Sequence, residues 1–156
     1  MHFIGRRQIG EGEINFRLIT SLGSAFGSLV LVPEIGLTPH LFAPRDYPAL
    51  WDLGIGLTDI AKFAYGMDHQ LPKGSLGQDA ADALKARIQK VAPRFLAFTS
   101  LTAGRTVMGK HASPGRQSEK VGITEVWILP SPSPLASNHW DIAPWRALAK
   151  AVRRAR

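Results

Sequence analysis

The sequence predicts an α/β domain: a parallel sheet with helices packed on both faces. Three observations carry this. Short, almost wholly apolar runs such as Phe95-Leu96-Ala97-Phe98 read as strands buried on both sides. These runs alternate with amphipathic helical segments, the succession that builds parallel sheets. The chain has 156 residues, 45% of them hydrophobic, which suits one domain, spanning 1–156, with its own core.

The elements follow in order. His2-Phe3-Ile4 reads as a first short strand ending at Gly5. Residues 6–32 yield no assignment, because Gly10, Gly12, Gly23 and Gly27 punctuate them and the apolar stretch 29–32 has no clear period. A short helix is expected over 44–53, with Pro44 and Pro48 near its start. A buried strand follows over 54–60, with Asp59 at its polar end. The clearest helix is 79–91, with Ala80, Leu84, Ile88 and Val91 on one face and Pro93 as the stop. After the strand 95–98 come a short helix over 101–108 and a basic loop over 110–120 containing Pro114-Gly115. Residues 124–129 form the next strand and run into Pro130-Ser131-Pro132-Ser133-Pro134. The last helix starts near Asp141 and Pro144 and buries Trp145, Leu148, Ala149 and Val152 at i, i+3, i+4 and i+7.

Composition excludes several kinds of chemistry. The chain has no cysteine, so disulfides, thiolate metal sites and thiol nucleophiles are ruled out. The histidines, at 2, 40, 69, 111 and 139, are never three to five apart, so no helical metal pair is expected. Gly54-x-Gly56 lies inside a strand rather than after it and is no dinucleotide fingerprint. No apolar run approaches the ~20 residues of a membrane span. The N-terminal stretch, with Arg6, Arg7, Glu11 and Glu13, lacks the pattern of a signal peptide, so a cytoplasmic location is expected. Lys and Arg outnumber Asp and Glu by 19 to 12, a net charge of +7, and the isoelectric point is 10.3. This excess, concentrated in the second half, fits either a phosphate-bearing partner or a merely basic soluble protein.

In parallel sheets, ligands bind at the carboxyl edge of the strands. Asp59, the Thr99-Ser100 pair and the loop 130–137 fall there. Asp59 reads either as a turn cap or as a carboxylate facing a pocket. His69, in Met67-Asp68-His69-Gln70, reads as a recognition residue or as part of a solvated loop. The alternating prolines stiffen 130–134, so that Ser131, Ser133 and Leu135 are presented with little ordering entropy left to lose. An apolar residue at the tip of a rigid loop beside basic surface is how a protein wedges into a base stack.

Three segments together resemble the uracil-DNA glycosylase superfamily, nearest its mismatch-specific uracil/thymine branch and that branch's broad-specificity bacterial relatives. They are Gly36-Leu37-Thr38-Pro39 through Gly54-Ile55-Gly56-Leu57-Thr58-Asp59; Arg94-Phe95-Leu96-Ala97-Phe98; and Val126 through Leu135 with the C-terminal helix. The resemblance covers about residues 35–156. It implies a three-layer αβα sandwich with a four-stranded parallel sheet. It implies a monomeric, monofunctional hydrolase of base-excision repair that removes uracil and other deaminated bases from DNA without metal or cofactor.

On the same resemblance, Asp59 stands where relatives place an Asn that reads the base edge. An ionised Asp only accepts hydrogen bonds, which relaxes strict uracil selectivity. Ser133 would contact a phosphate and Leu135 would fill the vacated stack; Ser100 and His69 are further substrate-binding candidates from their place after a strand and in a polar segment, not from the resemblance. Ser131 stands where relatives place a His that stabilises charge on the departing base, which makes it the catalytic candidate. His139 is a candidate substitute for that His. The first motif departs from the family: Arg6-Arg7-Gln8-Ile9-Gly10 does not match the water-positioning segment. Gln8, Glu11 and Glu13 are the candidates for that role, and the aromatic segment expected to stack on the base is not matched before residue 35. Either the chain is a divergent member or 1–32 are translated in a shifted frame. A catalytically inactive DNA-binding relative, and a basic domain for an unrelated anionic metabolite, are the competing readings.

Overall fold

The computed structural model describes residues 18–21, 34–40, 44–46, 48–58, 60, 77–131, 138 and 140–155. In chain order these form β1 (Leu18–Ser21), a 3-10 turn (Pro44–Asp46), α1 (Ala49–Asp52), β2 (Ile55–Thr58), α2 (Gln78–Val91) and β3 (Phe95–Phe98), followed by α3 (Leu101–Met108), β4 (Gly115–Val121), β5 (Thr124–Ile128) and α4 (Ala143–Arg154). The α/β class stands.

The sheet has five strands in the order β2-β1-β3-β5-β4. β1 pairs in parallel with β2 and β3, and β3 with β5, whereas β4 is antiparallel to β5. The sheet is therefore mixed, not the four-stranded parallel sheet expected from the resemblance. The difference lies in 115–121, read from the sequence as part of a basic loop. Gly-Arg-Gln-Ser-Glu-Lys-Val shows little apolar alternation because β4 is an edge strand, exposed along most of its length. Charged side chains on such an edge block pairing with other chains. The hairpin closes through Gly122-Ile123, with Val121 opposite Thr124. Gly122 has φ +61°, as the first central residue of a two-residue hairpin turn requires.

The expected strand at 2–4 lies outside the described residues. The strand at 18–21 falls in the glycine-punctuated stretch that gave no assignment.

The period of two along β3 and β5 sends alternate side chains to opposite faces. Phe95, Ala97, Trp127 and Leu129 pack with Leu50 of α1 and with Trp145, Leu148, Ala149 and Val152 of α4. Leu96, Phe98, Val126 and Ile128 pack with Leu84 and Ile88 of α2 and with Ala103 and Val107 of α3. Both faces are covered, which is why these strands are apolar throughout. α2 ends where Ala92 turns left-handed, with φ 48°, its N–H donating to the Ile88 carbonyl at 2.7 Å. Pro93 then blocks further helix. The entry of β5 is joined to that of β3: the Thr124 hydroxyl donates to the Pro93 carbonyl at 2.7 Å and the Glu125 N–H to the Arg94 carbonyl at 3.0 Å.

α3 lies close on β5 because Gly104 has no side chain. A Cβ there would sit 2.5 Å from Ile128 Cδ1 and 2.6 Å from its Cγ1, and Ile128 is wholly buried. Gly104→Ala gains about 1 kcal/mol in helix propensity, but overpacking a closed core costs ~1–3 kcal/mol. The clash outweighs the propensity: the variant is expected to lose up to about 2 kcal/mol, read as a lowered urea midpoint. A midpoint at or above wild type would show that α3 can move off the sheet.

Candidate functional site

Strand order alone marks one place on this sheet. The chain leaves β1 for β2 on one side and leaves β3 for β5 and β4 on the other. The switch point therefore lies between the carboxyl ends of β1 and β3, where open α/β sheets bind their ligands. In register, Ser21 of β1 lies between Thr58 of β2 and Phe98 of β3. Thr99 and Ser100 follow β3, and Ser131 follows β5 by three residues. The carboxyl edge thus gathers Thr58, Ser21, Thr99, Ser100 and Ser131, all hydroxyl residues.

Local chemistry sets each position. Thr58 and Thr99 are buried. Ser100 is the N-cap of α3, its Oγ accepting the Ala103 N–H at 3.2 Å. That bond meets one of the donors a helix leaves unsatisfied at its start. The end of β5 is held twice. The Leu129 N–H donates to the Phe98 carbonyl at 2.7 Å, and the indole N–H of Trp145 donates to the Pro130 carbonyl at 3.0 Å. Ser131, half-buried, is the next residue.

Of the residues singled out in the sequence, Ser100 and Ser131 are thus brought to one edge. Asp59, His69, Ser133, Leu135 and His139 lie outside the described residues, as do Gln8, Glu11 and Glu13. Thr58 and Ile60, the neighbours of Asp59 in the chain, are buried. Among the described residues no three His, Asp or Glu side chains gather to hold a metal ion. Among the same residues no helix is long and apolar enough to cross a membrane.

The basic surface divides in a way the sequence does not reveal. Gly115 pairs with Ile128 and Val121 with Thr124. The segment with exposed Lys110 and His111 therefore enters β4 from the carboxyl edge, while Lys120 lies at the opposite edge. Arg116 donates to Glu125 Oε2 at 2.8 Å, and Glu125 Oε1 accepts the Trp127 indole N–H at 3.0 Å. On α4, Arg153 donates to the Ile35 carbonyl at 2.7 Å and ties that helix to the segment before α1.

Two features at the edge escape sequence reasoning: the Trp145–Pro130 bond, and Trp140, whose ring centroid lies 6.4 Å from that of Trp145. A usable signal for the first existed, since a buried indole N–H nearly always finds an acceptor. No family model matches the chain.

Proposed function

We propose that the chain is a DNA glycosylase that hydrolyses the N-glycosidic bond of uracil and other deaminated bases in base-excision repair. The observation that carries this reading is the Trp145–Pro130 hydrogen bond. It holds the strand-to-loop junction so that Ser131 stands at the sheet's carboxyl edge, with 132–135 following directly. Helices on both faces and the parallel pairing among β2, β1, β3 and β5 support the three-layer architecture that the resemblance implies.

In this reading a flipped nucleotide enters at the carboxyl edge. Asp59 accepts from donors on the base edge, and His69 is a further recognition residue. Ser100 accepts from the α3 backbone and has its hydroxyl proton left to donate. Ser133 holds a phosphate and Leu135 fills the gap in the stack. The C1′–N bond breaks with its electron pair going to the base, and Ser131 donates a hydrogen bond to that charge. Water adds to C1′ as hydroxide, and its proton neutralises the base. Lys110 and the C-terminal arginines provide backbone attraction.

An oligonucleotide bearing one uracil tests this, single-stranded or opposite G or A, with abasic sites revealed by alkaline cleavage. Wild type is expected to cleave, and Asp59→Ala to lose about 100-fold or more in single-turnover rate, the effect of removing a positioned polar contact from an active site. An uncut substrate in every arm overturns the enzymatic reading.

One observation favours a second reading, an inactive DNA-binding relative: the hydroxyl of Ser131 is neutral where relatives use a histidine. Binding without cleavage, weakening with salt at a slope of about −0.9 per phosphate neutralised on duplex, would select it.

A further inference from the structure

We propose that Trp140 is a stacking platform for an unpaired DNA base beside the Ser131 edge; this rests on the glycosylase reading above. Among the described residues two large apolar side chains are exposed. Ile123 is at the hairpin tip, on the edge of the sheet away from Ser131. Trp140, 38% exposed, precedes α4.

What braces Trp140 is specific. Its ring lies 6.4 Å from that of Trp145, tilted by 43°, and Trp145 is the buried side chain that holds the Pro130 carbonyl. The same residue therefore backs Trp140 and fixes the junction before Ser131. An aromatic held from behind loses little freedom when a ligand stacks on it.

The surrounding charges favour a nucleic acid. The Asp141 carboxylate, which would repel phosphate, accepts the Ala143 N–H at 2.9 Å, at the positive end of α4 where the helix dipole offsets its charge. Arg146 is exposed within the first turn. An exposed aromatic, a cation six residues on in the chain and an engaged carboxylate are what single-stranded sites use to hold a base and its backbone. A hydrophobic protein partner would need a contiguous apolar patch, and here Asn138, Asp141 and Arg146 are all exposed.

The full-length protein is titrated at low salt with labelled oligothymidylate and with an oligomer of equal length made of abasic sites. Trp140→Leu keeps much of the packing volume and removes the π surface; Trp140→Phe keeps a ring. Trp140→Leu is expected to bind oligothymidylate about tenfold more weakly, the usual scale of one stacked base. On the abasic oligomer it should match wild type, with an unchanged urea midpoint, and Trp140→Phe should retain most of the affinity. If Trp140→Leu binds oligothymidylate as tightly as wild type does, the stacking role is overturned while the DNA reading stands. An equal loss on both oligomers, or one that follows a lowered midpoint, assigns Trp140 to packing. Wild type that binds neither oligomer overturns the stacking role and the DNA reading together.

Discussion

Replacing Trp145 by alanine is expected to cost about 3–5 kcal/mol of stability, a large share of the ~5–15 kcal/mol available to a domain. The side chain is 3% exposed and belongs to the cluster joining α4 to the face of the sheet that carries Phe95, Ala97 and Trp127. Its loss removes the transfer energy of a large aromatic and leaves a cavity that rigid strands fill poorly. It also leaves the buried Pro130 carbonyl without its 3.0 Å donor, a penalty of about 1–3 kcal/mol. Trp145→Phe separates these contributions in part, because it keeps one aromatic ring and removes the donor with the rest of the indole. A loss of about 1–2 kcal/mol is expected for it, read from the urea midpoint by circular dichroism. On the proposed glycosylase reading, the single-turnover excision rate should fall further than that stability change explains, since the junction before Ser131 is no longer held. A Trp145→Phe protein equal to wild type in both measurements would remove the tether from the argument.

How far the sequence foretold this architecture depends on where each element gets its stability. α2, β3 and α4 were legible because each buries a side defined by its own residues: Leu84 and Ile88 on one face, the run 95–98 throughout, Trp145 to Val152 at helical spacing. β4 was not, because an edge strand is held by hydrogen bonds to β5 and carries Arg116, Glu119 and Lys120 in solvent. β1 was not either. It has four residues and pairs on both sides, with β2 and with β3, so its neighbours define it more than its own pattern does. At the candidate site, Ser100 and Ser131 could be placed from the sequence because a strand's end can be read from where its apolar run stops. What fixes Ser131 could not. The Trp145–Pro130 bond joins residues fifteen apart, and the helix period accounts for Trp145 without its N–H. The division of the basic segment between two edges was equally hidden, since it follows from the hairpin register alone.

If the chain is the glycosylase proposed above, Ser131→His is expected to raise the single-turnover excision rate about 10- to 100-fold, which corresponds to ~1.4–2.7 kcal/mol of transition-state stabilisation. The argument starts from the charge that develops. As the glycosidic bond opens, its electron pair moves onto the base, and the barrier falls with the strength of the donor already aimed there. A serine hydroxyl is a neutral donor, whereas an imidazolium gives a charge-assisted hydrogen bond of roughly twice the strength. Removing such a donor elsewhere costs about 10²–10³ in rate, so improving one already present should recover part of that range. Ser131 is half-buried and follows the buried Ile128 and Leu129 in the chain. Ser131→Ala supplies the lower reference and should excise more slowly than wild type. The pH profile identifies the acting species. If imidazolium does the work, the gain should grow as pH falls through the ordinary histidine range near ~6.5. If the neutral ring suffices, the gain should stay level. A histidine variant no faster than Ser131→Ala would mean that position 131 does not face the departing base, and the catalytic assignment would pass to another residue of the carboxyl edge.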